Sequence, residues 1–163
     1  MKPLSLLLSV FLIGLLLRQL TKRRDIHMAL IGRIAMAGMF LFTGVAHFVF
    51  TEGMTAMIPS WIPYKVAIVN VSGVFEIIGA LGLLSNKYAK KVAIALIFFL
   101  VLALPLNIYS SINYIDPLTA SPDGPGPVYL LFRIPLQLFF ILWIYLSAIK
   151  PAVITFKKMR NGK

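Results

Sequence analysis

Glu76 is the residue of this chain whose position most strongly suggests chemistry. It lies near the centre of an apolar stretch, residues 66–84, and is the only carboxylate in any long apolar run of the sequence. At helical rise this stretch is about 28 Å long, which fits one crossing of a lipid bilayer. Because an unpaired charge at that depth costs about 3 kcal/mol or more, the carboxyl group must be neutral, paired or hydrated. Such a group is suited to exchange protons, to bind a cationic partner or to hold a polar ligand.

Glu76 shares its helix face with a second polar residue, and three other apolar runs have a pair with the same spacing. A spacing of four residues places both members of a pair on one face of a helix. In lipid such a face turns inward, since a polar group among acyl chains has no hydrogen-bond partner. We therefore expect four helices to enclose a shared polar interior. The pairs are Thr43 and His47, Ser72 and Glu76, Asn107 and Ser111, and Arg133 and Gln137.

The position of each polar residue along its run predicts a pocket that opens to one side of the membrane. His47 and Asn107 lie in the same outer half of their helices, whereas Glu76 and Gln137 lie near the midplane. Arg133 lies about a turn and a half inside its helix, close enough for its side chain to extend inward. We therefore expect an ion pair between Arg133 and Glu76, with Glu76 at the floor of the pocket.

Seven residues are candidates for binding a ligand in this pocket, and two of them are candidates for catalysis. His47 and Glu76 are the candidate catalytic residues, because imidazole and carboxyl groups exchange protons. Structural alternatives remain open: a buried ion pair for Glu76, a packing hydrogen bond for His47, and extension to the interface for Arg133. The candidates for the pocket are His47, Trp61, Ser72, Glu76, Asn107, Arg133 and Gln137.

The sequence limits the metals and cofactors that such a pocket could hold. It has no cysteine, which removes thiolate catalysis and thiolate ligation of metals. A metal site needs about three N, O or S ligands, and only His47 and Glu76 stand out, so no metal is predicted. No motif for a flavin or NAD is visible, and no pair of histidines suits a haem. The cofactor therefore stays open.

Composition and charge are typical of an integral membrane protein. Of the 163 residues, 60% are hydrophobic, and the mean hydropathy is +0.90. Long apolar runs with charges at the breaks favour transmembrane helices, because in lipid only helices or closed barrels satisfy the backbone. The net charge of +11 lies in short segments at the membrane edges, so no nucleic acid is expected to bind. The expected partners are the lipid bilayer and a membrane protein or a second copy of the chain.

Five apolar runs predict five transmembrane helices within a single membrane domain, residues 1–163. Basic residues, and no small-residue cleavage site, follow the first run, so we expect a retained helix and not a signal peptide. Residues 51–65, with Pro59, Trp61 and Pro63, are expected to form a loop against the membrane surface. The predicted fold is an all-α membrane protein, a four-helix transmembrane bundle of spans two to five plus one additional N-terminal helix. The predicted spans are 3–20, 28–50, 66–84, 92–114 and 128–149.

The distribution of lysine and arginine predicts the orientation in the membrane. The break after span one, counted together with Arg18 at the end of that span, has four of the 16 basic residues, the break after span three has three and the C-terminal tail has five. The opposite side has only Lys2 and Lys65. Since basic loops stay in the cytoplasm, we expect a cytoplasmic C-terminus and an N-terminus outside, in the cytoplasmic (inner) membrane.

An ordered set of motifs in spans two to five resembles the DoxX-like family of small integral membrane proteins. The resemblance covers about residues 31–150 and leaves the first span outside. It implies a four-helix bundle with an internal polar pocket. The motifs are Gly44-Val45-Ala46-His47-Phe48, Met57-Ile58-Pro59-Ser60-Trp61-Ile62-Pro63, Ser72-Gly73-Val74-Phe75-Glu76-Ile77-Ile78-Gly79-Ala80, Leu104-Pro105-Leu106-Asn107 and Arg133-Ile134-Pro135-Leu136-Gln137, with Trp143.

For function, the resemblance implies an accessory subunit of a membrane redox or detoxification system. The polar pocket would hold a quinone or a small oxyanion, and an accessory subunit is more expected than a stand-alone enzyme. Two alternatives remain open. A scaffold or assembly factor would need the polar residues only to hold its helices together, and a small proton-coupled transporter would move its cargo past an ionisable pair.

Overall fold

The computed structural model describes residues 2–21, 27–116 and 119–151, and every regular element within these ranges is helical. The basic residues at positions 22–24 and 157–163, on which the predicted orientation partly depends, lie outside the described residues. The described part contains six α-helices. They are α1 (Lys2–Leu20), α2 (Met28–Val49), α3 (Thr51–Ala56), α4 (Lys65–Leu84), α5 (Ala89–Ile112) and α6 (Leu130–Ile144).

The last transmembrane segment is not a uniform α-helix. A 3-10 turn, Pro127–Tyr129, leads into α6, and a π-helical turn, Tyr145–Ile149, continues it. The side chain of Trp143, at the end of α6, donates from Nε1 to the carbonyl oxygen of Gly32 on α2 at 3.0 Å. Gly32 is required to be small here, since an added Cβ would lie 3.0 Å from Cβ of Ser147.

Among the residues that the structure describes, five helical segments are long and apolar enough to cross a membrane: α1, α2, α4, α5 and Pro127–Ile149. Large apolar side chains along their outer faces are exposed, as expected where helices meet lipid. α2, α4, α5 and α6 enclose one core, whose fully buried members include Phe40, Met36, Leu83, Leu96 and Ile144. The protein is an all-α membrane bundle, and the predicted fold class is confirmed.

The additional helix, α1, packs on the outside of this bundle against α2. Leu7 is fully buried, and the ring of Phe11 meets Trp143 edge-on with 4.8 Å between the ring centroids. Gly14 allows a close approach to α2, since a Cβ there would lie 2.5 Å from Cγ2 of Ile31. α1 is therefore a packed part of the structure even though most of its surface faces outward.

The most extensive helix contact joins α2 to α4 and is made possible by two facing glycines. A Cβ added to Gly44 would lie 3.0 Å from the carbonyl oxygen of Gly73, and one added to Gly73 would lie 2.9 Å from that of Gly44. Small residues at a crossing let two helix backbones approach closely. This reciprocal contact determines which side chains of the two helices meet.

The segment after α2 differs in part from the predicted loop, because residues 51–56 form the short helix α3. Both prolines, Pro59 and Pro63, lie after this helix and so cannot remove its hydrogen bonds. Beyond α3 the chain turns and buries Ile58, which is 3% exposed. The same turn presents Trp61 outward, with 80% of the residue exposed.

Candidate functional site

The side chains of His47 and Glu76 lie together because α2 and α4 cross at their glycines. His47 follows Gly44 by three residues and Glu76 follows Gly73 by three, so each lies on the face that its glycine presents to the crossing. Nε2 of His47 is 3.6 Å from Oε1 of Glu76. This separation is within ion-pair range but slightly too long for a direct hydrogen bond. A small side-chain rotation would bring the two groups into hydrogen-bond contact.

The other carboxyl oxygen of Glu76 contacts Thr43, one helical turn before His47. Thr43 Oγ1 lies 2.5 Å from Oε2 of Glu76 and 3.3 Å from the carbonyl oxygen of Phe40. A hydroxyl has one proton, so Thr43 donates to only one of these acceptors at a time. With an ionised Glu76 it donates to the carboxylate; with Oε2 protonated it accepts from Glu76 and donates to Phe40. Thr43 therefore satisfies Glu76 in either protonation state.

A backbone carbonyl determines the orientation of the imidazole. Nδ1 of His47 lies 3.1 Å from the carbonyl oxygen of Val69 on α4. Since a carbonyl oxygen only accepts, Nδ1 must carry a proton. Nε2, which faces Glu76, is therefore the nitrogen that gains or loses a proton. The pair can hold one mobile proton, on the carboxyl group or on the imidazole.

The burial of Glu76 explains why it needs a partner, and the exposure of the two side chains shows which of them is more accessible. The side chain of Glu76 is 8% exposed and that of His47 is 17% exposed. A charged carboxylate in such surroundings needs a partner, because burial removes its hydration. The imidazole is the more accessible of the two groups.

In the described part of the chain, the side-chain hydrogen bonds of Ser72 and Asn107 go to their own helices and not to Glu76. The hydroxyl of Ser72 donates to the carbonyl oxygen of Ile68 at 2.8 Å. Asn107 is buried, with 8% exposed, and its amide donates to the carbonyl oxygen of Ala103 at 3.0 Å. Both residues were predicted to join a shared polar pocket, and hydrogen bonds within their own helices satisfy them instead.

Gln137 links two helices away from the histidine–glutamate pair. It is buried, with 7% exposed, and its amide donates to the carbonyl oxygen of Leu100 on α5. In the described part of the chain the predicted ion pair between Arg133 and Glu76 is not formed. The two carboxyl oxygens of Glu76 instead face Thr43 and His47 on α2, because α4 packs against α2 at this crossing. Arg133 instead remains half-buried on α6.

A hollow of about 320 Å³ lies at the end of α2, beside α3. Phe48, the residue after His47, is one of its lining residues. None of the seven predicted pocket residues lines it, and the exposed Trp61 is not among its walls. The lining residues are Phe48, Val49, Phe50, Thr51, Glu52, Gly53 and Thr119.

Two parts of the site were not among the predicted site residues. Thr43 was named in the sequence as the member of a polar pair with His47, on the same helix face, but not as a residue of the pocket. The carbonyl of Val69 could not be predicted, because a backbone group leaves no mark in the sequence. Within the described residues no three His, Cys, Asp or Glu side chains come together, so the pair lacks the ligands that a metal needs.

Comparison with known proteins identifies a family. Residues 36–148 match the model of a domain of unknown function (DUF8561). The chain belongs to the DUF8561 family. The DUF8561 match contains Thr43, His47 and Glu76 and leaves out α1. No curated protein and no solved structure matches the chain.

Proposed function

We propose that this DUF8561 protein is an accessory subunit of a membrane redox or detoxification system and that its His47–Glu76 pair exchanges protons with a quinone. The proposal rests on one observation: an imidazole nitrogen 3.6 Å from a buried carboxyl oxygen inside a membrane-spanning bundle. A quinone that becomes a quinol takes up two electrons and two protons. The pair relays the protons one at a time, and a partner subunit supplies the electrons, because the chain has no motif for an electron carrier.

The motifs that resemble DoxX-like proteins support this proposal. His47 lies in the first of these motifs and Glu76 in the third, so the resemblance includes both members of the pair. That family is associated with quinone-linked oxidation of small oxyanions. A small oxyanion is the second ligand class to test at the same pair, since a protonated imidazole can donate a hydrogen bond to an anion.

The exposed edge of His47 and the adjacent hollow suggest how a head group reaches the pair. Phe48, the residue after His47, lines the hollow, and so does Thr51, whose hydroxyl donates to the carbonyl oxygen of His47 at 2.8 Å. A quinone ring in the hollow would come close to the imidazole while its tail stays in lipid. Glu76 then acts behind His47, as the group that returns or receives the proton.

We further propose that the protein lies in the cytoplasmic (inner) membrane with its N-terminus outside and its C-terminus in the cytoplasm. Twelve of the 16 basic residues lie in the segments that this orientation places in the cytoplasm. His47 and the hollow would then lie toward the external side. Cysteine-accessibility labelling at the two chain ends tests the orientation without interference, since the natural chain has no cysteine.

The experiment is to purify the full chain in mild detergent and measure bound quinone by extraction and mass spectrometry. We expect quinone in the natural protein and a loss of at least about tenfold in Glu76→Gln, which keeps the shape and one hydrogen bond of the carboxyl group. Asp123→Asn removes an exposed carboxylate that does not line the hollow and serves as the matched control. Natural protein that neither retains quinone nor binds an added short-chain quinone would contradict the proposal.

A scaffold or assembly factor is the second candidate, and a specific observation favours it. Oγ1 of Thr43 lies 2.5 Å from Oε2 of Glu76 at the crossing where Gly44 and Gly73 are in contact. This hydrogen bond therefore also stabilises the packing of α2 against α4. A scaffold predicts that Glu76→Gln lowers the amount of folded protein. It also predicts that quinone bound per folded molecule, and the activity of any partner complex per molecule, stay unchanged.

A further inference from the structure

A second polar contact lies near the start of α2, at the opposite end of that helix from His47. Arg33 donates from Nη2 to Oδ1 of Asn86, in the turn between α4 and α5, at 2.6 Å. Its Nε is buried and has no hydrogen-bond acceptor in the described part of the chain. No carboxylate among the described residues forms an ion pair with Arg33. The contact therefore holds the guanidinium in place but leaves its charge uncompensated.

Three exposed lysines lie beside this contact. Lys87 follows Asn86 directly, and Lys90 and Lys91 lie in the first turn of α5. Nζ of Lys87 lies over the ring of Tyr88, 5.1 Å from its centroid. Tyrosine prefers the membrane–water interface, and Tyr88 lies in the turn where α4 ends and α5 begins. The turn thus gathers four cations at the depth of the lipid head groups.

We propose that Arg33 and the α4–α5 turn bind the phosphate group of an anionic phospholipid. The planar guanidinium is suited to phosphate oxygens, and with Nε buried and one proton of Nη2 bonded to Asn86, it offers Nη1 and the second proton of Nη2 to the ligand. Asn86 keeps the guanidinium facing the turn, and the lysines add positive charge around it. A phospholipid fits better than a soluble phosphate, since Ile34 (44% exposed) and Leu84 (43% exposed) beside the site offer apolar surface to acyl chains.

Native mass spectrometry of the full chain, titrated with phosphatidylglycerol or phosphatidylcholine, tests the proposal. We expect the natural protein to bind one phosphatidylglycerol about tenfold or more tightly than phosphatidylcholine. Arg33→Gln should remove that preference. Arg18→Gln is the matched control, because it removes the same charge from the last turn of α1, whose end precedes α2 in the chain, and should change the affinity less than about twofold.

Three results would overturn the proposal. The first is equal affinity for the two lipids, and the second is equal weakening of phosphatidylglycerol binding by Arg33→Gln and Arg18→Gln. The third is displacement of the lipid by soluble glycerol phosphate at a similar concentration. The second would show diffuse charge attraction, and the third a site for a free phosphate. If Arg33→Gln fails to fold, the double variant Lys87→Gln with Lys90→Gln decides, since it leaves the Arg33–Asn86 contact intact. Unchanged phosphatidylglycerol affinity in that double variant would also refute the site.

Discussion

Replacing Gly73 by alanine tests whether the α2–α4 crossing positions the histidine–glutamate pair. The new Cβ would lie 2.8 Å from Cβ of His47 and 2.9 Å from the carbonyl oxygen of Gly44. Neither atom can move alone, because both are fixed to the backbone of α2. Since ordinary contacts begin at 3.4 Å, the two helices must separate by about half an ångström. The same separation would stretch the contacts of Glu76 with both of its partners on α2.

The expected cost follows from three contributions. Overpacking of this kind costs about 1–3 kcal/mol. Alanine recovers about 0.5–1 kcal/mol through its higher helix propensity. A stretched hydrogen bond between Thr43 and Glu76 costs about 1 kcal/mol more. We therefore expect Gly73→Ala to lower the free energy of unfolding by about 1–3 kcal/mol.

The assay is reversible unfolding of the purified protein in mixed micelles, followed by circular dichroism, with Gly38→Ala as the control. Gly38 is also in a membrane-spanning helix, but a Cβ there would meet only Cγ2 of Val10, at an ordinary 3.9 Å. That substitution should be neutral or should stabilise by up to about 1 kcal/mol. Equal stability of Gly73→Ala and Gly38→Ala would refute the idea that this crossing is tightly closed.

Thr43→Val should lower the free energy of unfolding by about 1–3 kcal/mol, because it leaves Oε2 of Glu76 without its 2.5 Å partner. Thr43→Ser should restore most of that loss in the same unfolding assay, and equal stability of the valine and serine variants would contradict the hydrogen bond. Trp143→Phe should cost about 1 kcal/mol, since it removes the 3.0 Å bond to the carbonyl oxygen of Gly32; a melting temperature equal to that of the natural protein would contradict this. Trp61→Ala should leave stability in detergent within about 0.5 kcal/mol of the natural protein, because the residue is 80% exposed. A larger loss would show that Trp61 packs against the chain.

The fold could be predicted from the sequence because lipid imposes a strict rule on polar groups. A long apolar run must be a helix, and a polar pair at a spacing of four must turn inward. Glu76, Asn107 and Gln137 are all buried, with 6%, 8% and 7% exposed, as this rule requires. The same rule does not say which inward-facing groups meet.

The partners of Glu76 were harder to predict because they depend on helix neighbours and not on depth. Depth along each helix made Arg133 a plausible partner, yet the oxygens of Glu76 meet α2. The choice follows from Gly44 and Gly73, whose mutual contact brings α2 against α4. Glycines that favour close helix contacts were visible in the sequence, but their pairing across two helices was not.

The helix α3 and the Val69 carbonyl are two further features that the sequence did not predict. The prolines predict a loop over residues 51–65, although they can only affect the backbone near and after position 59, and residues 51–56 are helical. The carbonyl that orients His47 belongs to the backbone of α4, and any residue at position 69 could supply it. Such a contact is visible only once the helices are placed.

Nitrogen-15 NMR of the histidine side chain tests the proton-exchanging pair most directly. The chain has two histidines, so His27→Gln leaves His47 as the single imidazole to observe. The contact with the Val69 carbonyl predicts that Nδ1 stays protonated throughout a pH titration while Nε2 alone gains or loses a proton. The Nε2 signal should move in Glu76→Gln and stay in place in Asp123→Asn, which removes an exposed carboxylate outside the hollow. An Nδ1 without a proton, or an Nε2 signal that is unchanged in Glu76→Gln, would contradict the proposed pairing of His47 with Glu76.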